Sequence, residues 1–255
     1  MAKKQLAFGL IGLGKFGKHY ARLLPSIKNV HLAAVADRFS EDENIFNDPD
    51  IDAVVIATPP SSHYELAVAA LRAGKHVLLE KPMVSTMREA RSLAKEVKKS
   101  GRILMVGHQY LYNDYIRHLK RVIDEGKLGA IRYVFAEQFS FAPRDHGDCF
   151  WEQATHELAI IDYLFRSPRI MRARGSSAGF LGDDTRDVAT AEIQFSQNLL
   201  ATIVVSWYAP QKIRRMTIAG TKGLAFFDDY EETDKLRIRF GEHVRAVRMR
   251  TREPL

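Results

Sequence analysis

The sequence predicts an α/β half with a doubly wound parallel sheet, followed by an α+β half with an open, mainly antiparallel sheet. Three observations predict it. Short, continuous apolar runs alternate with helical periodicity through the first hundred residues. A glycine-rich turn joins the first run to the first helix, and from about Ala130 strand-like runs follow one another with little helix between them. Continuous apolar runs mark strands covered on both faces, as in a parallel sheet, whereas strands in series imply antiparallel pairing. The expected domains are residues 1–110 and 111–255.

The first half reads as strands at Leu6–Ile11, Val30–Ala36, Ala53–Ala57, His76–Leu79 and Arg102–Val106. Between them, Ser62 to Ala73 carries Leu66, Ala69 and Ala70 at helical spacing and stops at Gly74, a residue suited to a helix C-terminus. Thr86-x-x-Glu89 is a capping box that opens a helix through Leu93 and Val97 to Ser100-Gly101. In the second half the expected strands are Ile131–Phe139, Val188–Phe195, Leu199–Trp207, Ile213–Ala219, Leu224–Phe227 and Lys235–Phe240. Gln197-Asn198 and Gly220 to Gly223 read as hairpin turns, and one helical span, Phe150 to Phe165, interrupts the strands.

Chemistry is expected where the first sheet's strands end. The first strand runs into Gly12-x-Gly14-x-x-Gly17, with Lys15 and Phe16 inside the turn. This layout suits a tight turn into a helix whose N–H groups face a pyrophosphate. The second strand ends at Asp37, twenty residues after Gly17, where a carboxylate would hold an adenosine ribose diol. Asp37 favours NAD, and Arg38 beside it keeps NADP open. Thr58-Pro59-Pro60-x-x-His63 follows the third strand, either as the wall of a nicotinamide site or as an ordinary strand-to-helix turn. Glu80-Lys81-Pro82 follows the fourth. Lys81 could donate a hydrogen bond to a substrate oxygen and steady a developing alkoxide, or be a solvated loop lysine. Pro82 admits a cis peptide. Inside the later helical span, Glu152-x-x-x-His156 would put a carboxylate and an imidazole on one helix face, the pairing of a general base. A surface ion pair and a satisfied core histidine are the alternatives. No His/Cys cluster has metal-ligand spacing, so no metal is expected.

Composition bounds these readings. Hydrophobic residues are 46% and charged residues 27% of the 255, an ordinary globular profile. No apolar run has the length of a membrane span, and the single cysteine, Cys149, fits a reducing cytosol. The net charge of +7 gathers late, at Lys212, Arg214, Arg215, Arg237, Arg239 and Arg245 onward. Solvated strand faces are the plain reading of that bias. Nucleic-acid binding and an anionic substrate such as a nucleotide sugar are the others.

With these pieces in order, the chain resembles the glucose–fructose oxidoreductase / inositol dehydrogenase (Gfo/Idh/MocA) family over nearly its whole length. The resemblance runs through the three glycines, Asp37-Arg38, and the block from Asp48-Pro49-Asp50-Ile51-Asp52 to Thr58-Pro59-Pro60. It continues through Ala73-Gly74-Lys75-His76-Val77-Leu78-Leu79-Glu80-Lys81-Pro82. It implies a Rossmann domain, an open-sheet second domain, bound NAD or NADP, redox chemistry at a sugar or cyclitol hydroxyl carbon, and a homodimer or homotetramer. It also implies that Lys81 is the catalytic lysine, that Glu80 reaches the nicotinamide ribose, and that His156 is the second-domain histidine. Glu152 stands where the family has an aspartate.

The blocks Val106-Gly107-His108, Tyr112-Asn113, Ser206-Trp207 through Gly220, and Phe227-Asp228-Asp229-Tyr230 are similar to the UDP-N-acetylhexosamine 3-dehydrogenase branch. That likeness makes Tyr112, Asn113 and Arg144 candidate substrate contacts beside Lys81 and His156. Another carbohydrate or cyclitol dehydrogenase, or a non-catalytic dinucleotide-binding regulator, are the rival readings. Only fourteen residues separate Asp37 from Asp52, where the family fits a further helix and strand, so the adenine side of the cofactor site is expected to be abbreviated. Relatives continue beyond the position of Leu255.

Overall fold

A computed structural model describes residues 5–37, 45–142, 146–182 and 184–249. The chain forms two compact units that divide after Gly107.

The first unit is built in the order β1 (Leu6–Ile11), α1 (Lys15–Leu23), β2 (Val30–Ala36), β3 (Ala53–Ile56), α2 (His63–Arg72), β4 (His76–Leu79), α3 (Met87–Ser100) and β5 (Leu104–Val106). Its sheet is parallel throughout, with strand order β2-β1-β3-β4-β5. The central strand β3 is buried along its whole length, as a strand covered on both faces must be. Val54, Ile56, Leu71, Val77, Leu79 and Leu93 form one core cluster, and Leu10, Leu24 and Val55 a second. The capping box of α3 is complete: Thr86 Oγ1 accepts from Glu89 N, and the Glu89 carboxylate accepts from Thr86 N. Gly101 ends that helix at φ 65°, in the left-handed region that favours glycine. Lys75 is buried and satisfied by carbonyl oxygens of Asp48 and Ile51, which ties the loop before β3 to the start of β4.

The second unit runs α4 (Asp114–Asp124), β6 (Ile131–Phe141), β7 (His146–Asp148), α5 (Thr155–Phe165), β8 (Ile170–Ala178), β9 (Asp184–Arg186), β10 (Val188–Phe195), β11 (Leu199–Ser206), β12 (Tyr208–Gly220), β13 (Leu224–Asp228), β14 (Leu236–Phe240) and β15 (His243–Val247). Eight strands form an open sheet in the order β15-β14-β13-β12-β6-β11-β10-β8. Every pairing in it is antiparallel except β11 with β6. The two helices contribute Ile116, Leu119, Ile160, Ile161 and Leu164 to one core with Ala136, Ile203, Ile218 and Phe227 of the sheet. The expected hairpins are present: β10 pairs with β11 across Ser196–Asn198, and β12 with β13 across Gly220 to Gly223.

Asp187 is a structural anchor in this unit. It is fully buried, and its carboxylate accepts from the N–H groups of Phe180 and Leu181, the Thr185 hydroxyl and the Trp207 indole. Burial alone would raise its pKa, but these donors hold it down to about 2.

The helical span expected from Phe150 to Phe165 is divided. Phe150–Ala154 is a π turn and only Thr155–Phe165 is α-helical. Helix α4 and strands β7, β8, β9 and β15 were not expected from patterning. Strand β8 is exposed at every position, so no burial alternation marks it.

Candidate active site

In the first unit the strand ends and the glycine turn assemble one constellation. Gly12 has φ +96°, and a Cβ there would meet the Ala57 carbonyl oxygen at 2.8 Å. A Cβ on Gly17 would lie 1.8 Å from the Gly12 oxygen, so these two positions admit only glycine. Gly14 differs: a Cβ there would meet nothing within 4 Å. It sits at the N-cap of α1, which has neither a side-chain cap nor an acidic residue in its first turn. Lys15 and Phe16 begin that turn and are exposed. An open cradle of helix N–H groups with a basic neighbour fits the diphosphate of a dinucleotide. Asp37 lies at the end of β2, and its Oδ2 accepts from Leu13 N at 3.2 Å, so the carboxylate belongs to the glycine turn. Arg38 lies outside the described residues.

Glu80 follows β4 and is held from two sides. The Tyr20 hydroxyl donates to Oε1 at 2.7 Å, and Lys81 N donates to Oε2 at 3.1 Å. Burial, then the bonded carboxylate, raise the Tyr20 phenol pKa, so Tyr20 is the donor in this pair. Gly107 backs the same carboxylate, since a Cβ there would come within 3.1 Å of Glu80 Oε1. Lys81 is half-buried and its bond to Pro82 is cis.

Thr58, Pro59 and Pro60 lead into a short 3-10 turn in which the Ser62 hydroxyl donates to Thr58 Oγ1 at 2.8 Å. His63 needs correction as a cofactor contact. Its exposure is 0%, and its ring nitrogens lie 2.8 Å from Pro82 O and 2.9 Å from Thr58 O. The imidazole ties the loop after β3 to the loop after β4, so its polar atoms serve the backbone and not a ligand.

In the second unit His156 is 6% exposed, on the first turn of α5. The Tyr110 ring meets it edge-on, with centroids 5.1 Å apart and planes at 76°. Glu152 lies in the π turn that leads into α5, four residues before His156. The acid packed deepest here is Glu157, at 1% exposure. Burial, then the Asp229 carboxylate, push its pKa up to about 8. Arg214 Nε is 3.8 Å from Glu157 Oε1, beyond hydrogen-bond distance, so burial decides the direction. The Gln138 amide, oriented by its partners, donates to Glu157 Oε1 at 3.0 Å and to Gln153 O at 3.2 Å, and accepts from Arg214 at 2.8 Å. Arg214 Nη1 stands 3.5 Å from Asp229 Oδ2.

Tyr110, Gln138 and Glu157 escaped the sequence reading, and Arg214 and Asp229 were named there without a place in the site. The usable signal was a charged residue, Glu157, directly before the apolar run from Leu158 to Ile161, and one basic residue of the late cluster that is not solvated. Arg214 has 12% side-chain exposure. Asn113, a candidate substrate contact, stands at the N-cap of α4. Its Oδ1 accepts from the N–H groups of Tyr115 and Ile116 and caps α4, which commits that oxygen to the helix. Tyr112 is exposed with the Arg117 guanidinium over its ring. Arg144 lies outside the described residues. Among the described residues no group of three His, Cys, Asp or Glu side chains could hold a metal, and no helix is long and apolar enough to cross a membrane.

Comparison with known proteins places this chain. Residues 25–108 match the family model "Oxidoreductase family, NAD-binding Rossmann fold" of Gfo/Idh/MocA, and residues 116–226 match the Gfo/Idh/MocA C-terminal domain. The chain is 28% identical over 235 residues to a 1-carboxy-3-chloro-3,4-dihydroxycyclohexa-1,5-diene dehydrogenase of Comamonas testosteroni, covering 80% of this chain and 58% of that protein. It is 26% identical over 258 residues to the myo-inositol 2-dehydrogenase of Thermotoga maritima, covering 89% and 77%. The solved UDP-N-acetylglucosamine 3-dehydrogenase GnnA of Acidithiobacillus ferrooxidans superposes with a TM-score of 0.82 at 26% identity, over 97% of this chain and 84% of that one. The first unit is an NAD-binding Rossmann domain, the second is the family's mixed, mainly antiparallel sheet domain, and the chain belongs to the Gfo/Idh/MocA oxidoreductase family.

Proposed function

We propose that this chain is an NAD-dependent dehydrogenase of a secondary hydroxyl on a sugar, with a nucleotide-linked sugar as the substrate class. The observation that carries the redox reading is Lys81 at the end of β4, in the same unit as the open Gly14 cradle. NAD, when bound, supplies a nicotinamide carbon that accepts hydride. The Gly14 turn and the N–H groups at Lys15 and Phe16 would hold its diphosphate, Asp37 its adenosine ribose, and Glu80 its nicotinamide ribose. His156 takes the substrate hydroxyl proton as hydride leaves the carbon and the C–O bond becomes a carbonyl. Lys81 donates a hydrogen bond to the same oxygen and steadies its negative charge. Glu152 assists His156 by bearing on the basicity of the imidazole.

Likeness to GnnA at 26% identity supports the nucleotide-sugar class, and likeness to the Thermotoga inositol dehydrogenase supports a cyclitol as the second reading. Self-association through the large sheet is part of the proposal. Tyr133, Phe135, Leu200, Leu224 and Val244 are exposed, and the strand register puts them on one face. Sedimentation velocity of the wild type tests that part; a monomer at micromolar concentration contradicts it.

The activity is tested by following NADH formation with UDP-N-acetylhexosamines, inositols and free sugars in wild type, Lys81→Ala and His156→Ala. Turnover confined to the nucleotide sugars, and lost in both variants, supports the reading. Turnover on inositols alone moves the substrate to a cyclitol. NAD binding without turnover on any of them replaces the enzyme with a dinucleotide-binding regulator.

A further inference from the structure

Arg214 has a task in the second unit beyond neutralising carboxylates. Its guanidinium carbon lies 4.3 Å from the centroid of the Tyr110 ring, and that ring stands nearly perpendicular to the His156 imidazole, with centroids 5.1 Å apart. The Tyr110 hydroxyl donates to Asp229 Oδ2 at 3.1 Å, the same oxygen that stands 3.5 Å from Arg214 Nη1. The ring is therefore fixed at its hydroxyl by Asp229 and on its face by Arg214. Arg214 is itself fixed, since Gln138 accepts from it at 2.8 Å. A planar guanidinium can stack on a ring and hydrogen-bond at its edge at the same time, which an ammonium cannot do.

We propose that Arg214 is a positioning residue for His156: it clamps Tyr110 between its own guanidinium and the imidazole, and so sets the ring orientation in which His156 meets the substrate hydroxyl. The proposal rests on the reading of His156 as the base. An imidazole works as a general base only within hydrogen-bond reach and alignment of the proton it removes. A side chain that moves by about an ångström can cost on the order of a hundredfold in rate. Tyr110 and Arg214 confine the imidazole without touching the reacting atoms.

The test separates orientation from turnover. The His156 ring protons are followed by NMR in ring-labelled protein and assigned by their loss in His156→Asn. Tyr110→Leu removes the ring current and defines the full displacement of those resonances. Arg214→Lys keeps the charge and loses the stacking. It is expected to shift the His156 resonances at least half as far as Tyr110→Leu does, and to lower kcat about tenfold or more while KM stays within about threefold. Tyr110→Phe keeps the ring and loses only the bond to Asp229, so it is expected to hold the resonances close to wild type. Arg214→Lys with unmoved resonances and kcat within about twofold of wild type overturns the proposal. Should the wild type turn over no substrate, the reading of function fails, while the resonances in Arg214→Lys still decide whether the clamp exists.

Discussion

Replacing Glu157 by Gln should change how the stability of this protein depends on pH. The carboxyl is 1% exposed, and burial raises its pKa from 4.5 to about 8. Between those values the folded state holds a proton that the unfolded chain has released. Stability therefore falls as pH rises through that window and levels off above it. The interval from 4.5 to about 8, at ~1.36 kcal/mol per unit, amounts to on the order of 5 kcal/mol. The amide introduced by Glu157→Gln would keep the shape and could still accept from the Gln138 amide, but it cannot ionise. The difference in unfolding free energy, Glu157→Gln minus wild type, should be flat below pH 4.5, climb in favour of the variant up to about pH 8, and then plateau. Urea unfolding at a series of pH values, with the slopes m compared to exclude a change in the unfolded state, measures it. A difference curve that stays level across the window would refute the reasoning. It would mean that Arg214 keeps the acid ionised in the folded protein.

Other perturbations have equally definite outcomes. Asp187→Ala strips the acceptor from four donors and should cost about 3 kcal/mol or more in denaturant unfolding. Because its folded pKa is about 2 against 3.8, the stability Asp187 contributes is present above 3.8 and lost as pH falls toward 2; the variant should lack that acid limb. Gly17→Ala drives a Cβ to 1.8 Å from the Gly12 oxygen, so the glycine turn must shift; calorimetric titration should show NAD binding weakened about tenfold or more. Tyr20→Phe leaves Glu80 Oε1 without its 2.7 Å donor and should raise the KM for NAD more than it lowers kcat in steady-state kinetics.

How far these features could be read from sequence depends on where their information resides. Strands β1 to β4, the capping box at Thr86 and the hairpins at Asn198 and Gly220 are local: each is a run, a cap or a turn whose residues are adjacent. Gly12 and Gly17 were legible because the contact that forbids a side chain recurs with the motif. Strand β8 has no buried face, so it shows no alternation to read. The π turn at Phe150–Ala154 is invisible to a 3.6-residue period. His63 was placed near the right loop but given the wrong task, since its two carbonyl partners lie 5 and 19 residues away. The Tyr110–Asp229 bond spans 119 residues and Arg214 reaches Glu157 from another element, so tertiary structure alone brings that cluster together.

Direct transfer of hydrogen from substrate carbon to nicotinamide is the measurement closest to the central claim. The assay incubates the protein and NAD with a UDP-N-acetylhexosamine deuterated at each ring carbinol carbon in turn, and weighs the recovered cofactor by mass spectrometry. Deuterium is expected in the cofactor from one labelled position in wild type and from none in Lys81→Ala or His156→Ala. Cofactor recovered unlabelled from every position in wild type, or labelled equally in both variants, contradicts it.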